Sequence, residues 1–186
     1  MRHFKWLALA LALAVLIPST AEAQRPEKPV LVEVSGAYVW TSGEWGAAVK
    51  SGWAAGGLLG YAINPAFYIA GNFNALWWSA ENCIGCTDYT NYSYFGMIGF
   101  NPAAQNAQYD GLLLIGAGAT TFRPEGGEST TRFSMNGGFR GYFWVAPSVA
   151  ISMDFMLSVA FMDDTVFPFT STIWSFPLGV GLAFRF

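Results

Sequence analysis

The chain closes on WSFPLGVGLAFRF, residues Trp174 to Phe186, and this stretch alternates from end to end. Phe186, Phe184, Leu182, Val180, Leu178, Phe176 and Trp174 share one face of a strand. Arg185, Ala183, Gly181, Gly179, Pro177 and Ser175 share the other. Successive strand residues point to opposite faces, so one side is apolar and the other small or charged. A water-soluble sheet buries its apolar face and has no use for an aromatic as its last residue. A strand that closes a transmembrane β-barrel turns that face to lipid and keeps the small and charged side within. Pro177 donates no ladder hydrogen bond, which predicts a bulge near the outer rim.

The same period recurs upstream, between turn signals. Strands are expected at about 30–40, 47–62, 67–78, 92–100, 109–122, 131–144 and 149–161, which with the last make eight. Val49, Trp53, Ala55, Leu59 and Tyr61 are expected outside the second, with Lys50, Gly52, Gly56 and Gly60 inside. The seventh sets Ile151, Met153 and Phe155 against Ser152 and Asp154. Asn64-Pro65, Asn101-Pro102 and Ala146-Pro147 mark short turns after the even strands. Most connections after odd strands are longer and acidic, carrying Glu44, Glu81, Asp88, Glu125, Glu128, Asp163 and Asp164. Short periplasmic turns and longer extracellular loops are the asymmetry of outer-membrane barrels. The expected fold is all-β, an eight-stranded antiparallel up-and-down transmembrane barrel over residues 24–186.

Residues 1–23 carry a different signal. Arg2, His3 and Lys5 precede an apolar run from Leu7 to Ile17, and Ala21-Glu22-Ala23 supplies a small-x-small cleavage pattern. The apolar run is too short for a spanning helix, which needs ~20 residues. A cleaved signal peptide and export to the outer membrane are therefore expected. The only histidine leaves with it. Charged residues make up 11% of the chain, well under the ~25% usual for soluble domains. The net charge of −3 argues against nucleic acid, which is bound through basic patches.

The whole mature length resembles the small outer-membrane barrels of the OmpA and OmpX type. The resemblance rests on the Phe186 pattern, the Gly116-Ala117-Gly118 strand, and the hairpin running Gly137-Gly138-Phe139-Arg140 through Pro147 to Asp154. It implies that Phe186, Phe184, Leu182 and Val180 form the signal read by the barrel-assembly machinery. The resemblance is nearly silent on role. Outer-membrane lipid is the expected surrounding, the acidic loops suggest cation-bridged contact with lipopolysaccharide, and a structural or surface-interaction role through the loops is expected.

Candidate chemistry is sparse. Face assignment places Glu33, Lys50, Asp110, Arg140, Asp154 and Arg185 inside the barrel. Arg140 and Asp154 lie symmetrically about Pro147 and are expected as cross-strand neighbours. Glu33 and Arg185 sit on the first and last strands, which meet at closure. Eight strands enclose just enough room for side chains, and charges in a dry lumen need partners, so an ion-paired plug is expected over a gate or polar pathway. Inward Phe95, Met97, Leu112, Leu114 and Met156 leave a rival reading open, a barrel that binds or transports a small hydrophobic molecule. Cys83 and Cys86, in an oxidising envelope, are expected as a local disulfide, since a zinc site needs further ligands. Asp163 and Asp164 are expected as solvated loop charges. Trp40, Trp45, Trp53, Trp77, Trp78, Tyr92, Tyr94 and Trp174 are expected to form an interfacial girdle. With no histidine in the mature chain, a Ser-His-Asp arrangement is excluded. No enzyme activity, metal or cofactor is expected.

Overall fold

The computed structural model describes residues 29–42, 46, 49–80, 87–103, 108–162 and 171–186. The expected signal peptide, the Cys83–Cys86 disulfide, Trp45 and the Asp163-Asp164 pair fall outside the described residues. Eight strands, β1 (Val30–Ser42), β2 (Gly52–Ala62), β3 (Phe67–Trp78), β4 (Tyr89–Phe100), β5 (Tyr109–Pro124), β6 (Thr130–Ala146), β7 (Val149–Phe161) and β8 (Thr172–Arg185), follow one another in order. Each pairs antiparallel with its neighbours, and β8 returns to β1, so the sheet is a closed barrel with no free edge. Reciprocal backbone bonds between Val30 and Phe186 finish the seam, at 2.9 and 3.1 Å.

Period-two alternation explains which side each residue takes. Outward Trp53, Leu59, Ile98, Ile115, Phe133 and Val180 are all more than half exposed. Inward Leu31, Glu33, Asp110, Tyr142 and Ala183 are at most 1% exposed. Aromatic rings gather at both ends of this outer surface. Tyr38 packs edge-on against Trp40 and Trp53 at 5.0 and 5.2 Å near the loop end, and Phe67 lies 5.5 Å from Phe100 near the short turns.

The turns explain themselves locally. Asn64 Oδ1 accepts the backbone N–H groups of Ala66 and Phe67, both at 2.9 Å, so the side chain replaces a backbone turn acceptor. Pro147 and Ser148 alone join β6 to β7. Gly126, after β5, has φ +74°, a conformation open to glycine and costly for most other residues.

Three expectations need correction. Val49 and Lys50 take the opposite sides from those expected: Val49 is 2% exposed, and Lys50 is exposed and precedes β2. Trp53 pairs with Trp77 but Val49 bridges Ala80, so the Val49 side carries one extra residue. One inserted residue reverses every facing beyond it. Pro177 makes no bulge. The β7–β8 register is the same on both sides of it, and only the pairs of Met156 and Leu157 drop out of the ladder. The shift that does occur is between Trp144 and Ala146 on β6. Trp78, expected in the outer girdle, is 3% exposed and packs inside with Val39, Val49 and Phe122.

Candidate functional site: charges inside the barrel

Five of the six charges expected inside are buried there, in two groups. Nearer the middle, Arg140 on β6 stands directly opposite Asp154 on β7, and its Nη2 lies 3.4 Å from Asp154 Oδ2. Its Nη1 donates to Glu33 Oε2 on β1 at 3.1 Å, across the lumen. Tyr142 donates to the same oxygen at 2.8 Å, and Ser152 donates to Glu33 Oε1 at 3.1 Å. Both Glu33 oxygens are thus satisfied, as a buried carboxylate requires. Glycine at 179 makes room for the pair: a Cβ there would lie 2.6 Å from Asp154 Oδ1.

The second group lies at the short-turn end. Arg185 Nη2 meets Asp110 Oδ2 at 2.8 Å and donates to the Tyr68 hydroxyl at 3.1 Å. The guanidinium carbon lies 4.4 Å from the centroid of the Trp144 ring, over its face. Trp144 Nε1 donates to Asp110 Oδ2 at 2.7 Å, and Asn101 Nδ2 donates to Asp110 Oδ1 at 2.6 Å. Asn101, read in the sequence as a turn former, does both jobs: its own Oδ1 accepts from Ala103 and Gly111.

Glu33 and Arg185, on adjacent strands at the seam, therefore belong to different groups. Glu33 stands opposite Ala183, and Arg185 opposite Leu31. Lys50 belongs to neither, because the extra residue before β2 turns it out to solvent. The partners Tyr142, Trp144 and Asn101 were missed in the sequence, whereas Ser152 was expected inside beside Asp154. The signal was available for two of them, since Tyr142 and Trp144 share the face of Arg140 at two-residue steps.

Apolar side chains occupy the rest of the short-turn half. Phe95, Met97, Leu112, Leu114 and Met156 pack with Leu31, Leu58, Tyr68 and Tyr142. Toward the loops a polar layer follows, with Ser93, Thr120 and Ser134 hydrogen-bonded in series at 3.0 and 2.9 Å. Above it Val39, Val49, Leu76, Trp78, Phe122 and Ile173 form an apolar layer near the loop ends. Between the ionic floor and this apolar layer lies a cavity of about 40 Å3, enough for about three waters at 10–15 Å3 each.

The sequence matches no family model and no curated protein. Solved structures do match. The neisserial surface protein NspA superposes with a TM-score of 0.68 at 17% identity, over 84% of this chain and 97% of that one. Ail, the attachment invasion locus protein of Yersinia pestis, gives 0.56 at 19% identity, over 86% and 99%. The outer membrane protein OprG of Pseudomonas aeruginosa gives 0.58 at 10% identity, over 87% and 98%. This is the fold of the small eight-stranded outer-membrane β-barrels. At such identities the likeness is one of fold, and the outer-membrane barrel architecture is what the chain shares with all three. The expected strand count, order and closure stand.

Proposed function

We propose that the chain is an integral barrel of a bacterial outer membrane, that it is not an enzyme, and that its lumen is blocked. What it does for the cell is then done by its loops and outer surface, in envelope structure or in contact with a surface ligand. The observation that carries this reading is the inversion of polarity between Val180, 61% exposed, and Glu33, 1% exposed. A band of exposed apolar side chains between two aromatic rows suits a bilayer, whose hydrocarbon a tilted strand crosses in ~9–11 residues. The strands here are 11 to 17 residues long.

Ion pairs from β6 to β1 and from β8 to β5 support the blocked lumen, because each crosses the interior rather than lining a wall. Exposed Phe186, with Val180, Leu182 and Phe184 on the same face, supports recognition by the barrel-assembly machinery. The acidic Glu125 and Glu128 after β5 support cation-bridged contact with lipopolysaccharide. The rival reading, a lumen that binds or carries a small hydrophobic molecule, rested on the inward apolar residues. They are each at most 4% exposed and pack on one another, which supports reading them as core rather than as a binding site.

The test is fractionation with surface display. The chain is expected in the outer-membrane fraction, released by detergent and not by salt, with an epitope placed between Gly126 and Gly127 reached by antibody on intact cells. Release by salt alone contradicts the membrane reading, and an epitope hidden on intact cells contradicts its orientation.

A further inference from the structure

Positive charge on the outside of the barrel is confined to one sector. Of the cations among the described residues, Arg132, Arg140 and Arg185 lie on the lumenal face, and only Lys50 and Arg123 are exposed. Both sit at the loop end, and neither is ion-paired with a described residue. A row of residues on the outer face connects them: Trp53 stands opposite Trp77, Trp77 opposite Thr90, and Thr90 opposite Arg123. Lys50 lies just beyond Trp53 toward the loops, its N–H bonded to the Ser79 carbonyl at 2.9 Å. From β2 to β5 is three strand spacings, about 14 Å around the wall.

Directly below Trp77, on the same strands, the outer wall is hollow. A groove runs there, flanked by Leu59, Phe73 and Tyr94 and floored by Gly71, Ala75 and Gly96. A Cβ on Gly71 or Gly96 would meet nothing within 4 Å, whereas outward Gly111 and Gly141 on β5 and β6 are roofed by the Tyr109 and Phe139 rings. The wall made by β6, β7 and β8 differs in both respects. It has no exposed cation among the described residues, and it carries bulky Phe133, Phe155 and Val180, each more than half exposed.

We propose that this sector, from Lys50 across to Arg123 and down to Gly96, docks the lipid anchor of lipopolysaccharide, a phosphorylated sugar headgroup carrying several acyl chains. Two cations set well apart suit phosphates at the two ends of a disaccharide better than the single phosphate of a phospholipid, and arginine pairs with phosphate oxygens through two N–H groups at once. Trp53 and Trp77 lie between the cations at headgroup level, where amphipathic rings settle. An acyl chain fills the groove, held by close van der Waals contact with exposed backbone, the kind of contact that drives association within hydrocarbon. The nearby carboxylates do not cancel the cations: Asp88 Oδ1 accepts from the Ala80 N–H at 2.7 Å. Glu125 follows Arg123 by two residues, so a divalent ion held there meets the same phosphate.

The inference rests on the outer-membrane reading with its loops facing outward, and names where and how the lipid is held. The test places the refolded chain in nanodiscs of zwitterionic phospholipid with EDTA, titrates diphosphoryl lipid A, and counts bound lipid by native mass spectrometry. One lipid A per barrel is expected to be retained in preference to phosphatidylglycerol. Lys50→Ser and Arg123→Ser are each expected to weaken retention about fivefold, as loss of one basic residue at a membrane surface does. Gly71→Leu combined with Gly96→Leu fills the groove with both charges kept, and is expected to weaken retention as well. Equal retention of lipid A and phosphatidylglycerol, or retention unchanged in these variants, overturns the site. Retention that EDTA abolishes overturns direct pairing and leaves the ion bridge alone. Release of the chain from membranes by salt fails the outer-membrane reading instead, so the two failures read differently.

Discussion

Arg140 stands opposite Asp154 across the β6–β7 ladder, yet its shorter contact, 3.1 Å against 3.4 Å, is with Glu33 on β1. One guanidinium thus joins a local hairpin to the strand that closes the barrel. Arg140→Ala leaves two carboxylates buried without their cation, an expected loss of about 3–5 kcal/mol. Urea titration of the refolded protein in micelles measures it. Combining Arg140→Met with Glu33→Gln and Asp154→Asn removes the stranded charges and is expected to recover most of the loss. Unaltered stability in Arg140→Ala sinks this account of the middle group.

Arg185 plays the equivalent part for the last strand, reaching Asp110 on β5, Tyr68 on β3 and the Trp144 ring on β6. Lysine keeps the charge but not the planar fork that hydrogen-bonds and stacks at once. Arg185→Lys is therefore expected to cost about 1–3 kcal/mol through the lost hydrogen bond and ring contact. Stability equal to wild type shows that charge alone suffices at that end.

The glycines separate into two kinds. A Cβ on Gly118 would come 1.8 Å from the Tyr94 carbonyl oxygen of the neighbouring strand, whereas one on Gly71 or Gly96 would meet nothing within 4 Å. Gly118→Ala is expected to destabilise by about 1–3 kcal/mol, as overpacking does. Gly71→Ala and Gly96→Ala are expected to be neutral or slightly stabilising, by up to about 1 kcal/mol. Equal effects at the three sites count against the interstrand spacing described.

Much of this was legible because it depends on spacing along the chain. The alternation at 174–186 gave the closing strand, and Pro147 midway between Arg140 and Asp154 gave their pairing. What spacing does not encode is distance across a lumen, so the bond from Arg140 to Glu33, 107 residues away, was not legible. Val49 and Lys50 were misplaced for a related reason. A single extra residue between Lys50 and Trp53 breaks the phase, and Gly52, where a Cβ would come 2.1 Å from the Trp77 carbonyl oxygen, marks the place.

Val180 lies mid-strand on the outer face, 61% exposed, opposite Gly36 and Met153. In a bilayer Val180→Arg is expected to lose about 2–4 kcal/mol, the penalty for arginine near the midplane of a barrel. Refolding titrations in lipid vesicles read it. An effect near zero contradicts burial of this face in hydrocarbon.

Phe186 is bonded at its backbone and 62% exposed at its side chain. Phe186→Ser is expected to refold in detergent almost as wild type but to reach the outer membrane several-fold less in cells. A parallel loss in both settings makes the ring a packing residue instead of an assembly signal.

The most direct measurement is single-channel recording from the refolded chain in planar bilayers, beside its heat-dependent gel shift. A blocked barrel gives the shift of a folded, heat-modifiable protein and no steady conductance, and opens only when Arg140, Glu33 and Asp154 are replaced by small neutral residues. A stable, ion-selective conductance from the wild-type chain contradicts the blocked lumen.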